Sequence, residues 1–370
     1  MGICVDNEIY TTQTHLTEED LEIRNRLFWS CYFWDKIISL YLGRSPSLRH
    51  TKISPPQKLL DDSSEDEIWI PHGLSYPAGQ GYPPTKSHAT SCFTQMCRLS
   101  VIFHQILLHM YDREQDHIDT ERQQCVEDQG HALSVWWQDL PEHLRIDPVS
   151  LPPFAPPSHI NTMNCLFHTF SILLYRPMVF GSTSVQVGYG LEADYLRKCI
   201  ASANAIVFIY DLFCRTFGES RVILSLLYSV YTAASIFLLQ IQASGESNAQ
   251  VSKRLHYCVG ALERAKEQAP VLQQALALLK KELSKLELKA HPAGPKYPNH
   301  EIQGTSVPAD YVQDQSAFLA GPAFQTSPSA ASYGLPEFDF SDVQVDPSIF
   351  EAFSTLEPIS VQVGALEENW

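Results

Sequence analysis

Apolar residues recur every three or four positions along most of the first 290 residues, and this spacing predicts a series of helices. The first predicted helix runs from Glu18 to Leu42, with Thr17 as its N-cap and Gly43 as its C-terminal stop. Leu27, Trp34, Ile38 and Leu42 share one side of that helix, so we expect this side to face the core.

Seven further segments have a helical pattern: 87–111, 119–137, 159–175, 191–217, 221–242, 249–268 and 270–288. The proline-rich stretches 46–84 and 140–157 interrupt the pattern, because proline removes a backbone donor and clashes with the preceding turn. About eight helices without a β pattern predict an all-α, bundle-like domain over residues 1–290.

One predicted helix has two interpretations, because Val222–Gly245 contains no charged residue and is long enough to cross a bilayer. Small polar residues recur along it at helical spacing, namely Ser225, Ser229, Thr232 and Ser235. Such a stripe favours a helix buried on all sides within a bundle, with a membrane span as the alternative.

The last predicted helix has leucines at alternating spacings of four and three, at positions 272, 276, 279, 283 and 286. This seam covers only two heptads, fewer than a confident coiled coil requires. We therefore expect it to pack on its own domain, with a homodimer contact as the alternative.

After residue 290 the helical pattern stops, and Pro, Gly, Ser, Ala and Gln dominate. Residues 291–370 are predicted to be disordered, because they bury too little apolar surface to offset chain entropy. No Lys or Arg follows Lys296, whereas eleven Asp or Glu do, so most of the net charge of −16 lies in this tail. Between about 335 and 358, Phe338, Phe340, Phe350 and Phe353 alternate with acids, a composition typical of activation segments that bind an apolar groove; an inert acidic tail is the alternative.

Direct nucleic-acid binding needs clustered cations, and the richest groupings here are Lys280-Lys281 and Lys253-Arg254. We expect this chain to bind DNA poorly by itself. The nine cysteines are scattered and no two are separated by only two residues, so we predict reduced core thiols and no zinc site of that spacing.

Residues with catalytic chemistry do not form a recognisable constellation. His104 and His109 are five positions apart and point to different sides of a helix, and no serine lies in a G-x-S-x-G turn. The acidic residues of 61–67 are predicted to be a solvated loop without a catalytic role. We therefore predict no enzyme and no bound cofactor, with an α-helical small-molecule-binding protein or enzyme as the alternative.

A motif in the first helix and its turn resembles the middle homology region of fungal zinc-cluster transcription factors. That region has an Arg-x-Arg-x-x-Trp helix, an Asp six residues later and a Gly-Arg-Pro turn. The matching residues are Arg24, Arg26, Trp29, Asp35, Gly43, Arg44 and Pro46, with Ser45 as an extra residue in the turn. We expect aromatic residues to anchor the helix, and the three arginines to form an ion-pair network with Asp35.

Two later segments extend the resemblance over about residues 1–260. Trp136–Leu144 is similar to a family helix that ends at a Leu-Pro step, and Leu173–Pro177 is similar to a Leu-x-Arg-Pro helix end. Within the family, the pattern is similar to that of nitrate-assimilation regulators.

The resemblance implies a regulatory domain of a nuclear factor that controls transcription by RNA polymerase II. Its partners would be the transcription machinery, through the acidic tail, and a metabolite effector. Met1–Asp6 resembles the end of an upstream family helix, so we expect the chain to begin inside the domain, without the six-cysteine zinc cluster. Zinc would then be absent from this chain, and DNA contact would be indirect or through a missing N-terminal domain.

Overall fold

Helices account for nearly all the regular structure of the described residues, which confirms the all-α prediction. The computed structural model describes residues 17–48, 54–74, 81–111, 119–180, 191–244, 249–266, 269 and 272–290. The helices are α1 Glu18–Leu42, α2 Ser63–Asp66, α3 Ala89–Tyr111, α4 Asp119–Asp139, α5 Ser158–Phe180, α6 Leu191–Phe217, α7 Leu224–Ser244, α8 Ala249–Ala265 and α9 Leu272–Ala290.

Four shorter elements lie in the connections. Two are single 3-10 turns, Glu142–Leu144 and Glu219–Arg221. The other two are the strands β1 (Ile68–Trp69) and β2 (Thr85–Lys86), which pair antiparallel. Irregular connection was predicted for this stretch, because two residues are too few to show the alternation that identifies a strand.

The helices α5, α6 and α7 form the centre of the bundle, and each packs on the other two. On one side α3 packs on α4 and α5, and α1 packs on α3. On the other side α8 covers α7, and α9 packs on α7 and α8. The buried apolar residues of these helices form one main core, and a small second cluster lies beside it between α1 and α3.

The uncharged helix α7 is buried among its neighbours, as its polar stripe predicted. The hydroxyls of Ser229 and Thr232 donate to carbonyls four residues earlier, at 2.9 Å in each case. The Ser229 and Ser225 hydroxyls also accept from Thr169 of α5 at 2.8 Å and from Tyr41 of α1 at 3.0 Å. Both α6 and α7 are long and apolar enough to span a membrane, and the bundle buries most of each.

The leucine seam of α9 faces its own domain. Leu272, Leu276 and Leu279 are buried in the core, and the next two leucines of the seam pack against it. This agrees with the first interpretation of the seam, and it means that the domain itself occupies these leucines.

One predicted helix boundary was wrong. The Leu173–Pro177 segment was expected to end a helix, but α5 continues through it to Phe180. Arg176 is buried there and its Nη2 lies 3.4 Å from the Tyr111 hydroxyl of α3. Pro177 is tolerated inside the last turn of α5, where its missing donor and its clash with the preceding turn affect only the end of the helix. By contrast, α4 ends at Asp139 beside Leu140-Pro141, as predicted.

Candidate functional site

The motif residues lie on α1 and on the turn that follows it, and both ends of α1 are capped. The Thr17 hydroxyl accepts from the Asp20 amide at 3.1 Å, and the Asp20 carboxylate accepts from the Thr17 amide at 3.1 Å. This capping box satisfies two donors of the first turn. At the other end Gly43 adopts φ 58° and ψ 37°, a left-handed conformation that glycine adopts without a Cβ penalty.

An aromatic cluster fixes α1 on α3, as the motif led us to expect. Trp29 is fully buried, and its ring lies 5.5 Å from that of Phe28 and 5.0 Å from that of Tyr32, both edge to face. Tyr32 continues the cluster to His104 of α3, with ring centroids 5.7 Å apart. These three aromatic side chains and Cys97 form a small core of their own beside the main one.

The apolar side of α1 that the sequence analysis assigned to the core is on the surface. Leu27, Trp34 and Ile38 are 52%, 53% and 50% exposed, and Ile23 on the same side is 57% exposed. The opposite side carries the buried residues Phe28, Trp29, Tyr32, Lys36 and Leu40, and near the C-terminal end of the helix Ile37 and Tyr41 are buried as well. The prediction was wrong because both sides of this helix are apolar, and spacing alone does not tell which of them is covered.

Asp35 organises the turn after α1. Its carboxylate accepts from the amides of Ser47 and Leu48 at 3.0 Å each and from the Lys36 ammonium at 2.7 Å. Burial raises the pKa of Asp35, but the hydrogen bonds from Lys36 and from the Leu48 amide outweigh it and leave the pKa below its ordinary value.

Lys36 is the unexpected member of this site, because its side chain is fully buried. Its Nζ donates to the Leu48 carbonyl at 2.6 Å and lies 3.8 Å above the ring of Tyr32. Burial lowers the pKa of Lys36, while the neighbouring carboxylate opposes that effect. No motif signalled this residue, since lysine is rarely buried without a partner.

The predicted ion-pair network consists of two separate sets of contacts. Arg26 pairs with Glu22, and its Nη2 donates to the Asp61 carbonyl at 2.6 Å. Glu22 in turn accepts from the amides of residues 60 and 61. Asp35 pairs with Lys36 instead of an arginine, Arg24 and Arg44 are exposed, and Pro46 is buried. Thus α1 holds two stretches of connecting chain, 47–48 and 60–61.

A second polar cluster surrounds Glu65 of α2, at the start of α3. Its carboxylate accepts from the Ser91 amide at 2.9 Å and from the hydroxyls of Ser91 and Thr90 at 2.6 Å each. His88 Nδ1 lies 2.9 Å from the same carboxylate, and the His143 ring contacts that of His88 in a tilted arrangement with centroids 4.1 Å apart. Glu65 therefore caps α3 from a distant part of the chain.

Glu65, His88 and His143 also meet a first requirement for a metal site, because one ligand atom from each lies within 4.8 Å of the others. Two observations oppose this use. Both carboxylate oxygens already accept hydrogen bonds. The two imidazole planes are only 32° apart, so their nitrogen lone pairs do not converge on one point. The geometry therefore fits a cap better than a metal site.

The Glu65 cap makes stability depend on pH. Burial raises the pKa of Glu65, but the hydrogen bonds from Ser91, Thr90 and His88 outweigh it and lower the pKa from 4.5 to about 2. A carboxyl whose folded pKa is depressed stabilises the fold fully above its unfolded pKa and loses that contribution as the pH falls. The free energy of unfolding should therefore fall by about 2 kcal/mol between pH 5 and pH 2.

Glu65→Gln tests this prediction, since it keeps the shape of the side chain and removes the titration. Urea unfolding at a series of pH values should show a smaller loss of stability on acidification in Glu65→Gln than in the wild type. Glu67→Gln is the matched control on the same connection and should follow the wild type. Equal acid sensitivity of all three proteins would contradict the cap.

Among the described residues, a groove of about 360 Å³ lies between α3 and α4. It is open to solvent and brings together a guanidinium, an imidazole and a carboxylate around an indole. The lining residues are Gln95, Arg98, His131, Ala132, Val135, Trp136 and Asp139. This groove could not be predicted from the sequence, because its residues come from two helices.

Comparison with known proteins identifies the motif region. Residues 5–138 match the family model described as "Fungal specific transcription factor domain". The nitrogen assimilation transcription factor nirA of Emericella nidulans is 25% identical over 239 residues, which cover 64% of this chain and 25% of the relative. The nitrogen assimilation transcription factor nit-4 of Neurospora crassa is 24% identical over 278 residues, covering 71% of this chain and 23% of the relative.

A transcriptional regulatory protein of Schizosaccharomyces pombe is 23% identical over 283 residues, which cover 74% of this chain and 44% of that protein. The chain thus spans about a quarter of the length of the two nitrogen assimilation factors. No solved structure matches it significantly. The motif on α1, the all-α fold and the match of residues 5–138 agree, and together they support the middle region of a fungal zinc-cluster transcription factor.

Proposed function

We propose that this chain is the regulatory and activation part of a fungal transcription regulator. The observation that carries the proposal is the match of residues 5–138 to the transcription factor domain, together with relatives named as transcription factors over most of the chain. The buried aromatic side of α1 supports it, because the motif residue Trp29 has the anchoring place that the resemblance implies.

In this proposal, regulation and activation are carried out by two different parts of the chain. Residues 1–290 form the regulatory domain. Residues 291–370, with the segment 335–358, recruit the transcription machinery in the nucleus. The tail lies outside the described residues, so the support for its role is its alternation of phenylalanine with acids and its lack of Lys or Arg after Lys296. We assign sequence-specific DNA binding to a zinc cluster that is not among residues 1–370.

The genes under control are proposed to be those of nitrogen assimilation, because two relatives carry that name. A metabolite effector would find opposite charges beside an indole in the groove between α3 and α4. The competing class, an α-helical enzyme, has less support. The relatives are transcription factors, and the Glu65 carboxylate, whose pKa is lowered to about 2, is stabilised as an anion by a helix start.

A reporter assay tests the proposed activation segment. Residues 291–370, fused to a foreign DNA-binding domain, should activate a reporter gene in a fungal host. Changing Phe338, Phe340, Phe350 and Phe353 to alanine should lower activation at least about fivefold, because partner grooves bind the aromatic side chains.

The matched control changes Phe318 and Phe324, which lie in the same tail outside the segment, and should leave activation unchanged. Fusing residues 1–370 instead of 291–370 tests the regulatory domain, and lower activation by the longer fusion is expected. No activation by the tail fusion would contradict the proposed activation segment. Equal activation by both fusions would show that residues 1–290 do not restrain the tail.

A further inference from the structure

The exposed side of α1 carries four large apolar residues in one stripe. Ile23, Leu27, Trp34 and Ile38 are each at least half exposed. At 100° per residue they fall within an arc of about 60°, and they extend over about 22 Å of helix. Scattered apolar residues are normal on protein surfaces, but a continuous patch marks an interaction site.

The spacing of the stripe is the same in both directions. Its residues are separated by four, seven and four positions, so reversing the helix reproduces the pattern. When two copies of α1 lie antiparallel around a two-fold axis at position 30.5, Ile23 faces Ile38 of the second copy. In the same register Leu27 faces Trp34 of the second copy. Every apolar residue of the stripe then meets another, which a two-fold interface requires.

The residues at the centre and at the ends of the stripe fit the same arrangement. Ser30 and Cys31 lie at the axis, and both have small side chains that permit two helices to approach closely. At the ends, the exposed acidic first turn, with Glu18 and Glu19, comes beside the exposed Arg44 of the second copy. A parallel pair would instead place the two acidic first turns together, where they repel.

We propose that α1 is a homodimer interface, in which two copies of this chain pair antiparallel through the stripe Ile23, Leu27, Trp34 and Ile38. Four half-exposed side chains of this size present roughly 400 Å² of apolar surface per copy. Two such stripes correspond to a small interface, so the association is weak and depends on concentration. The proposed dimer contact is therefore α1 and not the leucine seam of α9, because the domain itself covers those leucines.

Analytical ultracentrifugation of the whole chain over a range of concentrations tests the proposal. The wild type should change from monomer to dimer as its concentration rises. Trp34→Glu should lower the association constant at least about tenfold, because it places a carboxylate in the apolar interface. Ile70→Glu is the matched control, since Ile70 is 76% exposed on a different part of the surface, and it should associate like the wild type.

A double variant tests the register. In Leu27→Lys/Trp34→Glu, the new ammonium at position 27 faces the new carboxylate at position 34 of the second copy. Association should therefore recover part of what Trp34→Glu loses. A parallel pair would bring like charges together and lose more. Circular dichroism checks that each variant remains folded.

Crosslinking of the wild type gives a second measurement that needs no destabilising change. Of the described cysteines, Cys31 and Cys214 are those that are not buried. In a Cys4→Ser background, a short bis-maleimide should join two copies through Cys31, and adding Cys31→Ser should abolish the product. A wild type that stays monomeric, equal association of Trp34→Glu and wild type, a double variant without recovery, or a crosslink that survives Cys31→Ser would each overturn the proposal. A monomer would indicate that another segment of the same chain covers the stripe.

Discussion

Trp29→Ala is expected to lower the free energy of unfolding by about 3–5 kcal/mol, the loss typical of a large buried aromatic side chain. Trp29 is fully buried between Phe28 and Tyr32, so its removal leaves a cavity where α1 meets α3. Trp29→Phe keeps part of the volume and should lose less. Urea unfolding followed by circular dichroism gives the three values.

Trp34 provides an internal control, because it lies five residues further along the same helix and is 53% exposed. Trp34→Ala should change the free energy of unfolding by less than about 0.5 kcal/mol at concentrations where the chain is monomeric. If the alanine variants at positions 29 and 34 lost stability equally, the assignment of the two sides of α1 would be wrong.

Asp35→Ala has the second largest expected effect, a loss of about 3 kcal/mol. The change removes the carboxylate that accepts from Lys36, Ser47 and Leu48, and it leaves a fully buried ammonium without its counter-charge. Asp35→Asn, which retains an acceptor oxygen but no charge, should lose less. The pKa of Asp35 lies below 3.8, so its stabilisation is complete above about pH 4 and is lost as the pH falls through the lower folded value.

The double variant Asp35→Ala/Lys36→Met shows whether the lost stability comes from the unpaired ammonium. A buried ion pair replaced on both sides often costs little, because neither charge has to be removed from water. We expect the double variant to recover more than half of the loss in Asp35→Ala. No recovery would show that the amide contacts to residues 47 and 48 carry the stability instead.

The sequence predicted most helices well, because their apolar spacing is regular over many turns. The bounds of α1 and α6 agree with the predicted ones, and those of α3 and α4 differ by two residues at one end. The two-residue strands were missed, since hydrogen bonds between positions 68 and 86 depend on a fold that brings distant residues together. The same reason explains why the contact of Glu65 with residues 88 and 91 was not foreseen.

The candidate site could be located but not described from its sequence. The motif residues lie on α1 and on the turn after it, and Trp29 of the motif is buried. The pairing within the motif could not be predicted, because charged side chains on one helix have several partners within reach. Lys36 was missed for a related reason, since its burial depends on the Leu48 carbonyl and the Tyr32 ring.

The hydrogen bonding within α7 determines how a destabilising substitution in the bundle would affect the chain. The hydroxyls of Ser229, Thr232 and Ser235 donate to carbonyls of the same helix, so these three buried groups are satisfied before any neighbour packs on the helix. A substitution in α5 or α6 that loosens the bundle would therefore expose α7, an uncharged 21-residue helix. Its apolar surface would then bind lipid or other unfolded chains. Destabilising substitutions at the centre of this fold should thus lead to aggregation or degradation of the chain, because they expose apolar surface. They should not produce a partial loss of regulatory activity in a folded protein.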